Sequence, residues 1–309
     1  MKNYQGAVLF IDMLGFGELT RGRLKLTTNE YKPWNVDVES IAPHQLLAAK
    51  LLIAFRKALI STQNAYKSVQ IAQLSDCCFF WSRDLGGVVD AGRHFMRQAT
   101  LGGLLCRGGF ACGRIHEPPK GKQSLGAFIV GDAVTRAATL ERSGKGARMF
   151  TDQETGNEVL KMRPDERFQP LTNPLTGESV DEWLWYAPQA SLRNGRNTRA
   201  SKAICDAIKT LVSYHTTLRY SPRLAWSATT PEGRRQIACT IAAVSQELEK
   251  ASGNSGNYGF SVEILLNADT VRSETTQKKL HDKFVRELTR IVKRSAQASH
   301  NPEQEFAFE

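Results

Sequence analysis

Long apolar runs are the first thing this 309-residue chain lacks. The best candidate, Leu46 to Leu59, is broken by Lys50, Arg56 and Lys57, so no segment offers the ~20 apolar residues of a membrane-spanning helix. Cysteine is scarce as well. Cys77, Cys78, Cys106, Cys112, Cys205 and Cys239 include no knuckle-spaced pairs, which argues against a zinc site or a disulfide framework and for reduced core thiols. The six histidines, at 44, 94, 116, 215, 281 and 300, show no metal-ligand spacing and read as surface or structural residues. Aromatics amount to 8%, and no strand interleaves them with basic residues as a single-strand nucleic-acid platform would. No internal repeat is present. An apolar run begins within ten residues of Met1, which leaves no room for a signal peptide, so the expected compartment is the cytoplasm.

Acidic residues are also in deficit, 31 against 41 basic ones, for a formal charge of +10. Such a balance favours anionic partners, either nucleic acid or a triphosphate. Much of the excess falls after residue 190. There Lys278, Lys279, Arg286, Arg290, Lys293 and Arg294 follow helical spacing and are read as a solvated helix face.

The patterning predicts an α+β protein. Ala7 to Ile11 is a continuous apolar run suited to a strand buried on both faces. Arg21 to Ile41 is polar and is read as a loop or lid. A helix is expected from Pro43 to about Tyr66, with Leu46, Leu47, Leu51, Phe55 and Leu59 on its apolar side. Val69 to Leu74 and Cys77 to Trp81 form a predicted hairpin around Ser75-Asp76, followed by a helix near 88–104 and a strand from Arg107 to His116. Gly108, Gly109 and Gly113 in that strand suit close backbone approach. A basic turn at 118–123, a strand-like Phe128 to Val130, a helix from Gly131-Asp132 to about Arg142 and a late strand at Glu182 to Tyr186 complete a sheet with helices expected on one side. The division expected is residues 1–190 as one domain and 191–309 as a mainly helical extension. That extension has helices near 198–217, 231–251 and 276–297 and a strand at Phe260 to Leu266. Trp183, Trp185 and Tyr186 are read as core or dimer packing.

Two segments carry the chemistry: Phe10-Ile-Asp-Met-Leu-Gly-Phe16 and Leu74-Ser-Asp-Cys-Cys-Phe79. Each is an apolar run interrupted by one carboxylate, costly to bury unless a cation or hydrogen bonds compensate it. Either acid alone reads as a cap or turn former. At the ends of neighbouring strands, the two suggest one divalent-metal site. A glycine beside it gives backbone amides that suit phosphate, the equipment of phosphoryl transfer.

In their order, the segments Val8-Leu-Phe-Ile-Asp-Met-Leu-Gly-Phe16, Gln73-Leu-Ser-Asp-Cys-Cys-Phe79, Arg107-Gly-Gly-Phe-Ala-Cys-Gly113 and Gly131-Asp-Ala-Val-Thr-Arg-Ala-Ala-Thr-Leu-Glu141 resemble the class III nucleotide cyclases over about residues 5–190. The resemblance implies a ferredoxin-like cyclase homology domain with a mostly antiparallel sheet flanked by helices, working as a homodimer with sites at the interface. It implies two Mn²⁺ or Mg²⁺ ions on Asp12, Asp76 and the carbonyl of Met13, a phosphate cradle at Leu14, Gly15 and Phe16, and pyrophosphate release as the ribose 3′-oxygen attacks the α-phosphorus. Departures follow from the same register. Ala72 and Phe128 stand where adenylate cyclases read the base, and Thr135 and Thr139 stand where the signature Asn and Arg belong. Positive charge is then left to Arg136, Arg107 or the Lys120/Lys122 turn, with Arg136 and Lys122 taken as the catalytic and phosphate-binding candidates. This combination is similar to the pyrimidine cyclases of bacterial Pycsar anti-phage systems, which implies UTP converted to cyclic UMP for a separate effector protein. Conversion of CTP to cyclic CMP, and a catalytically inactive nucleotide sensor, are the other readings. Neither nucleic acid nor membrane is expected as a partner.

Overall fold

In the computed structural model, residues 2–118, 128–144, 146–172, 177–187, 211, 214 and 240–247 are described. One seven-stranded sheet organises them: β1 (Lys2–Met13), β2 (Gln70–Leu74), β3 (Cys77–Ser82), β4 (Cys106–Glu117), β5 (Met149–Thr151), β6 (Phe168–Thr172) and β7 (Ser179–Trp183), in spatial order β2-β3-β1-β4-β5-β7-β6. Every neighbouring pair is antiparallel except β4–β5. The α+β expectation is met. Among the described residues the strands are accompanied by α1 (Phe16–Thr20), α2 (Thr28–Tyr31), α3 (Pro43–Ala65), α4 (Leu85–Leu101), α5 (Asp132–Glu141) and α6 (Gln153–Met162). No helix among the described residues is long and apolar enough to cross a membrane.

β1 reads as a continuous apolar run because both of its faces are covered. Ala7, Leu9, Ile11 and Met13 point into a large core that includes Phe55 of α3 and Phe95 of α4, whose rings meet edge to face at 5.2 Å. Val8 points the other way, into a smaller cluster with Ala133, Ala137 and Leu140 of α5. Helices on one side only was therefore too simple: α5 lies opposite α3 and α4. What lets α5 reach the sheet is the glycine run of β4. A side chain at Gly109 would collide with the carbonyl of Ala137, and one at Gly113 would lie 2.5 Å from Asp132 Oδ2. Asp132 Oδ1 also accepts the Arg114 amide at 2.8 Å, pinning the helix start to the strand.

Three other expectations change. The 21–41 stretch is not irregular throughout; it contains α2, a 3₁₀ turn at Lys32–Trp34, and the buried Tyr31 and Val36. Leu46 does not join the apolar face of α3, being 48% exposed while Leu47, Leu51, Phe55 and Leu59 are buried. The late strand is Ser179–Trp183, after which Trp185, Tyr186 and Ala187 turn away from the sheet yet stay buried. The predicted 198–217, 231–251 and 276–297 helices and the Phe260–Leu266 strand lie outside the described residues, except for helical positions 211, 214 and 240–247. The boundary at residue 190 also lies outside them.

Candidate active site

The chain assembles the two acids through register. β2 and β3 are joined by the two-residue turn Ser75-Asp76, with Ser75 in the left-handed region at φ 55° as a tight hairpin requires. The Met13 amide donates to the Asp76 carbonyl at 3.0 Å, tying the turn to the end of β1. Asp12, one residue earlier, pairs with Cys77 on one side and Arg107 on the other. Asp12, Met13 and Asp76 are thereby brought to one end of the sheet. Gly15, at φ 77°, then turns the chain into α1.

Electrostatics at this end are unbalanced. Burial pushes the Asp12 carboxyl up to about 6; Arg107 opposes the rise, while Glu141 and Asp76 add to it. The same three acids, after burial, push the Cys77 thiol up to about 11. Arg107 Nη2 stands 3.6 Å from Asp12 Oδ2, and its Nε is ion-paired with Glu141, which is 3% exposed. A guanidinium at the site is therefore held between two carboxylates. Sequence reasoning named Arg107 as one possible source of charge but missed Glu141. No local pattern distinguishes that acid from any other at the end of a helix; only the docking of α5 on β4 aims it inward.

The hard oxygen donors of Asp12, Asp76 and the Met13 carbonyl suit Mg²⁺ or Mn²⁺, and a cation there would offset the burial and the neighbouring acids that raise Asp12. Among the described residues no group of three or more His, Cys, Asp and Glu side chains is placed to hold a metal. The fit thus rests on two carboxylates and backbone oxygen.

Other expected residues fall elsewhere or are already occupied. The Leu14 amide donates to the Leu105 carbonyl at 2.9 Å, so it is committed to structure instead of to a ligand. Ala72 faces Phe79 in register, and Phe79 faces Phe10; this row lies two residues along β1 from Asp12, on the same face, with the Phe10 and Phe79 rings 4.7 Å apart. Phe128 is 61% exposed and precedes the Val130–His116 bridge, nine residues along β4 from Arg107. Arg136 is not brought to Asp12. Its guanidinium donates to the Cys112 carbonyl at 2.9 Å and pairs with Asp152 at 2.7 Å and Glu154 at 3.0 Å, which ties α5 to the start of α6. Lys120 and Lys122 lie outside the described residues.

The class of molecule these observations define is an α+β protein with a carboxylate pair at one end of a mixed sheet. No protein-family model matches the chain, and no curated protein matches it. Among solved structures, it is similar to the adenylyl cyclase CyaB from P. aeruginosa at 15% identity, covering 59% of this chain and 93% of that one with a TM-score of 0.42. A bacterial light-regulated adenylyl cyclase aligns at 17% identity over 67% of this chain and all of that one, with a TM-score of 0.41. The guanylate cyclase domain of RhGC from Catenaria anguillulae, in complex with GTP, aligns at 15% identity over 59% and 97%, also at 0.41.

Proposed function

We propose that the chain is a nucleotide cyclase acting on a pyrimidine triphosphate. In this reading UTP is converted to 3′,5′-cyclic UMP and pyrophosphate by a homodimer in bacterial anti-phage defence, and the product signals to a separate effector. The observation that carries this reading is the convergence of Asp12 and Asp76, through the Met13–Asp76 hydrogen bond, on an end of the sheet where Asp12 is raised to about 6. Asp12, Asp76 and the Met13 carbonyl would hold two divalent ions, which when bound neutralise triphosphate charge and acidify a coordinated hydroxyl. Arg107, oriented by Glu141, presents a guanidinium to the same space and is the cation this chain offers to a phosphate in place of Arg136. The amides of Gly15 and Phe16 complete the phosphate side. The Ala72, Phe79 and Phe10 row forms an apolar shelf without hydrogen-bonding side chains, so it offers no reader of adenine and leaves the choice of base to other groups.

A second reading has its own support. The commitment of Arg136 to Asp152 and Glu154 leaves its guanidinium bound within the fold, which favours a sensor that binds nucleotide without turning it over. One assay separates the two. The purified chain is incubated with Mn²⁺ and each of the four ribonucleoside triphosphates, and products are resolved by mass. The proposal expects cyclic UMP or cyclic CMP, abolished by Asp12→Ala and by Asp76→Ala. Cyclic AMP as the main product overturns the base assignment. Nucleotide binding without product supports the sensor.

A further inference from the structure

We infer that the segment from Thr240 to Glu247 is a positioning element for the Asp12–Arg107 site, acting through Ala147 and Arg148. The inference deepens the reading above and concerns residues distant from the acids in sequence. Its first link is a single hydrogen bond: the amide of Ala147 donates to Thr240 Oγ1 at 3.2 Å, and both residues are fully buried. The next residue continues the path. The carbonyl of Arg148 accepts the Gly108 amide at 3.0 Å, and Gly108 follows Arg107, the residue held between Asp12 and Glu141. There is no slack at Gly108. An added side chain would collide with the carbonyl of Phe10 and approach Met149 Cε to 2.9 Å, so three strands meet there at backbone distance.

Buried charge fixes both ends of this path. The guanidinium of Arg148 pairs with Glu182, which is fully buried and also accepts from the Tyr186 hydroxyl at 3.2 Å. Tyr186 and Trp185 in turn pack on Tyr214, with ring centroids 5.1 Å and 4.9 Å away. At the other end, Glu247 is 2% exposed and takes both terminal nitrogens of Arg167, the second at 3.1 Å. Ile241 and Val244 enter the main core between these anchors. A buried ion pair resists sliding more than apolar contact does, because a displaced charge is left without its partner in a dry site. The segment is therefore docked in one register, and that register sets the height of Ala147–Arg148 against β4. Loosening it would let Gly108, and with it Arg107, move relative to Asp12.

The test uses the whole 309-residue chain and a readout that needs no substrate. Hydrogen exchange is followed by mass spectrometry in wild type, Thr240→Val, Thr240→Ser and Glu247→Gln. Positioning predicts at least a fivefold faster exchange of the Gly108 amide in Thr240→Val and Glu247→Gln, with the β2–β3 hairpin unchanged and Thr240→Ser like wild type. In turnover, kcat falls in the same two variants while KM stays within twofold. Faster exchange at Ala147 with Gly108 unchanged overturns the inference, as does a uniform acceleration over the whole sheet. If Thr240→Val does not fold, Glu247→Gln, which keeps the size but sets a donor amide in place of one oxygen that accepts from Arg167, decides alone. Absence of any cyclic product from wild type removes the cyclase reading but leaves the exchange result to stand or fall separately.

Discussion

Replacing Asp12 with Asn tests the electrostatic account most directly. The folded-state pKa of about 6 lies above the ordinary 3.8, so between these values the folded chain holds a proton that the unfolded chain releases. Stability must then fall as pH rises through that window and level off above it. The rise from 3.8 to about 6 corresponds to about 3 kcal/mol of stability forgone at neutral pH. This total already includes the attraction of Arg107. Asparagine keeps the shape and loses the charge, so at pH 7.5 with chelator present the variant should be the more stable protein. About 3 kcal/mol translates to roughly 5 °C in Tm for a chain of this size. Thermal unfolding from pH 4 to pH 8 is the assay. The gap between variant and wild type should be near zero at pH 4, open between about pH 4 and 6, and stay constant above. A divalent cation should raise the Tm of wild type and leave the variant unchanged. A variant less stable than wild type at pH 7.5 without metal would refute the reasoning, since Asp12 would then be a net stabilising charge.

Gly109→Ala should cost at least ~3 kcal/mol, because the new methyl meets the Ala137 carbonyl and α5 must lift from β4; chemical denaturation measures it. Glu182→Ala strands the Arg148 guanidinium in a dry site and should cost about 3–5 kcal/mol, again read from the denaturation midpoint. Phe55→Ala should cost about 3–5 kcal/mol through a cavity beside Phe95, and an equally stable variant would show that the α3–α4 contact is not packed as described. Alkylation of Cys77, followed by peptide mass spectrometry, should accelerate about tenfold per pH unit up to pH ~11, because only the thiolate reacts; a plateau near pH 9 would contradict the raised thiol.

What the sequence disclosed was governed by segment length and by how local each cause is. β1, α3, the Ser75-Asp76 hairpin, β4 and α5 each carry a periodic or turn signal long enough to read, and the Asp12–Asp76 convergence follows from them. β5 is three residues, Met149-Phe-Thr, too short to show a period. β6 contains Pro170, which ordinarily argues against a strand; it is tolerated here because β6 is the outer strand of the sheet. α6 announces itself only by Asp152, whose carboxylate accepts the Thr155 amide at 2.8 Å, a cap that resembles many loop acids. Glu141 and the capture of Arg136 by Asp152 and Glu154 depend on how α5 sits on β4. That is a tertiary fact, and no window of sequence contains it.

The seating of α5 on the glycines of β4 divides that helix into two regimes of mutational freedom. Its inner positions, Ala133 and Ala137, have no room for growth, whereas Thr135 and Thr139 face solvent and direct their hydroxyls back to the carbonyls of Gly131 and Thr135 at 3.4 Å and 2.9 Å. In a saturation library, the inner face should reject nearly every substitution, while the outer two sites accept most side chains. New polar groups can therefore be introduced at 135 and 139 without repacking the core, at little cost to the fold.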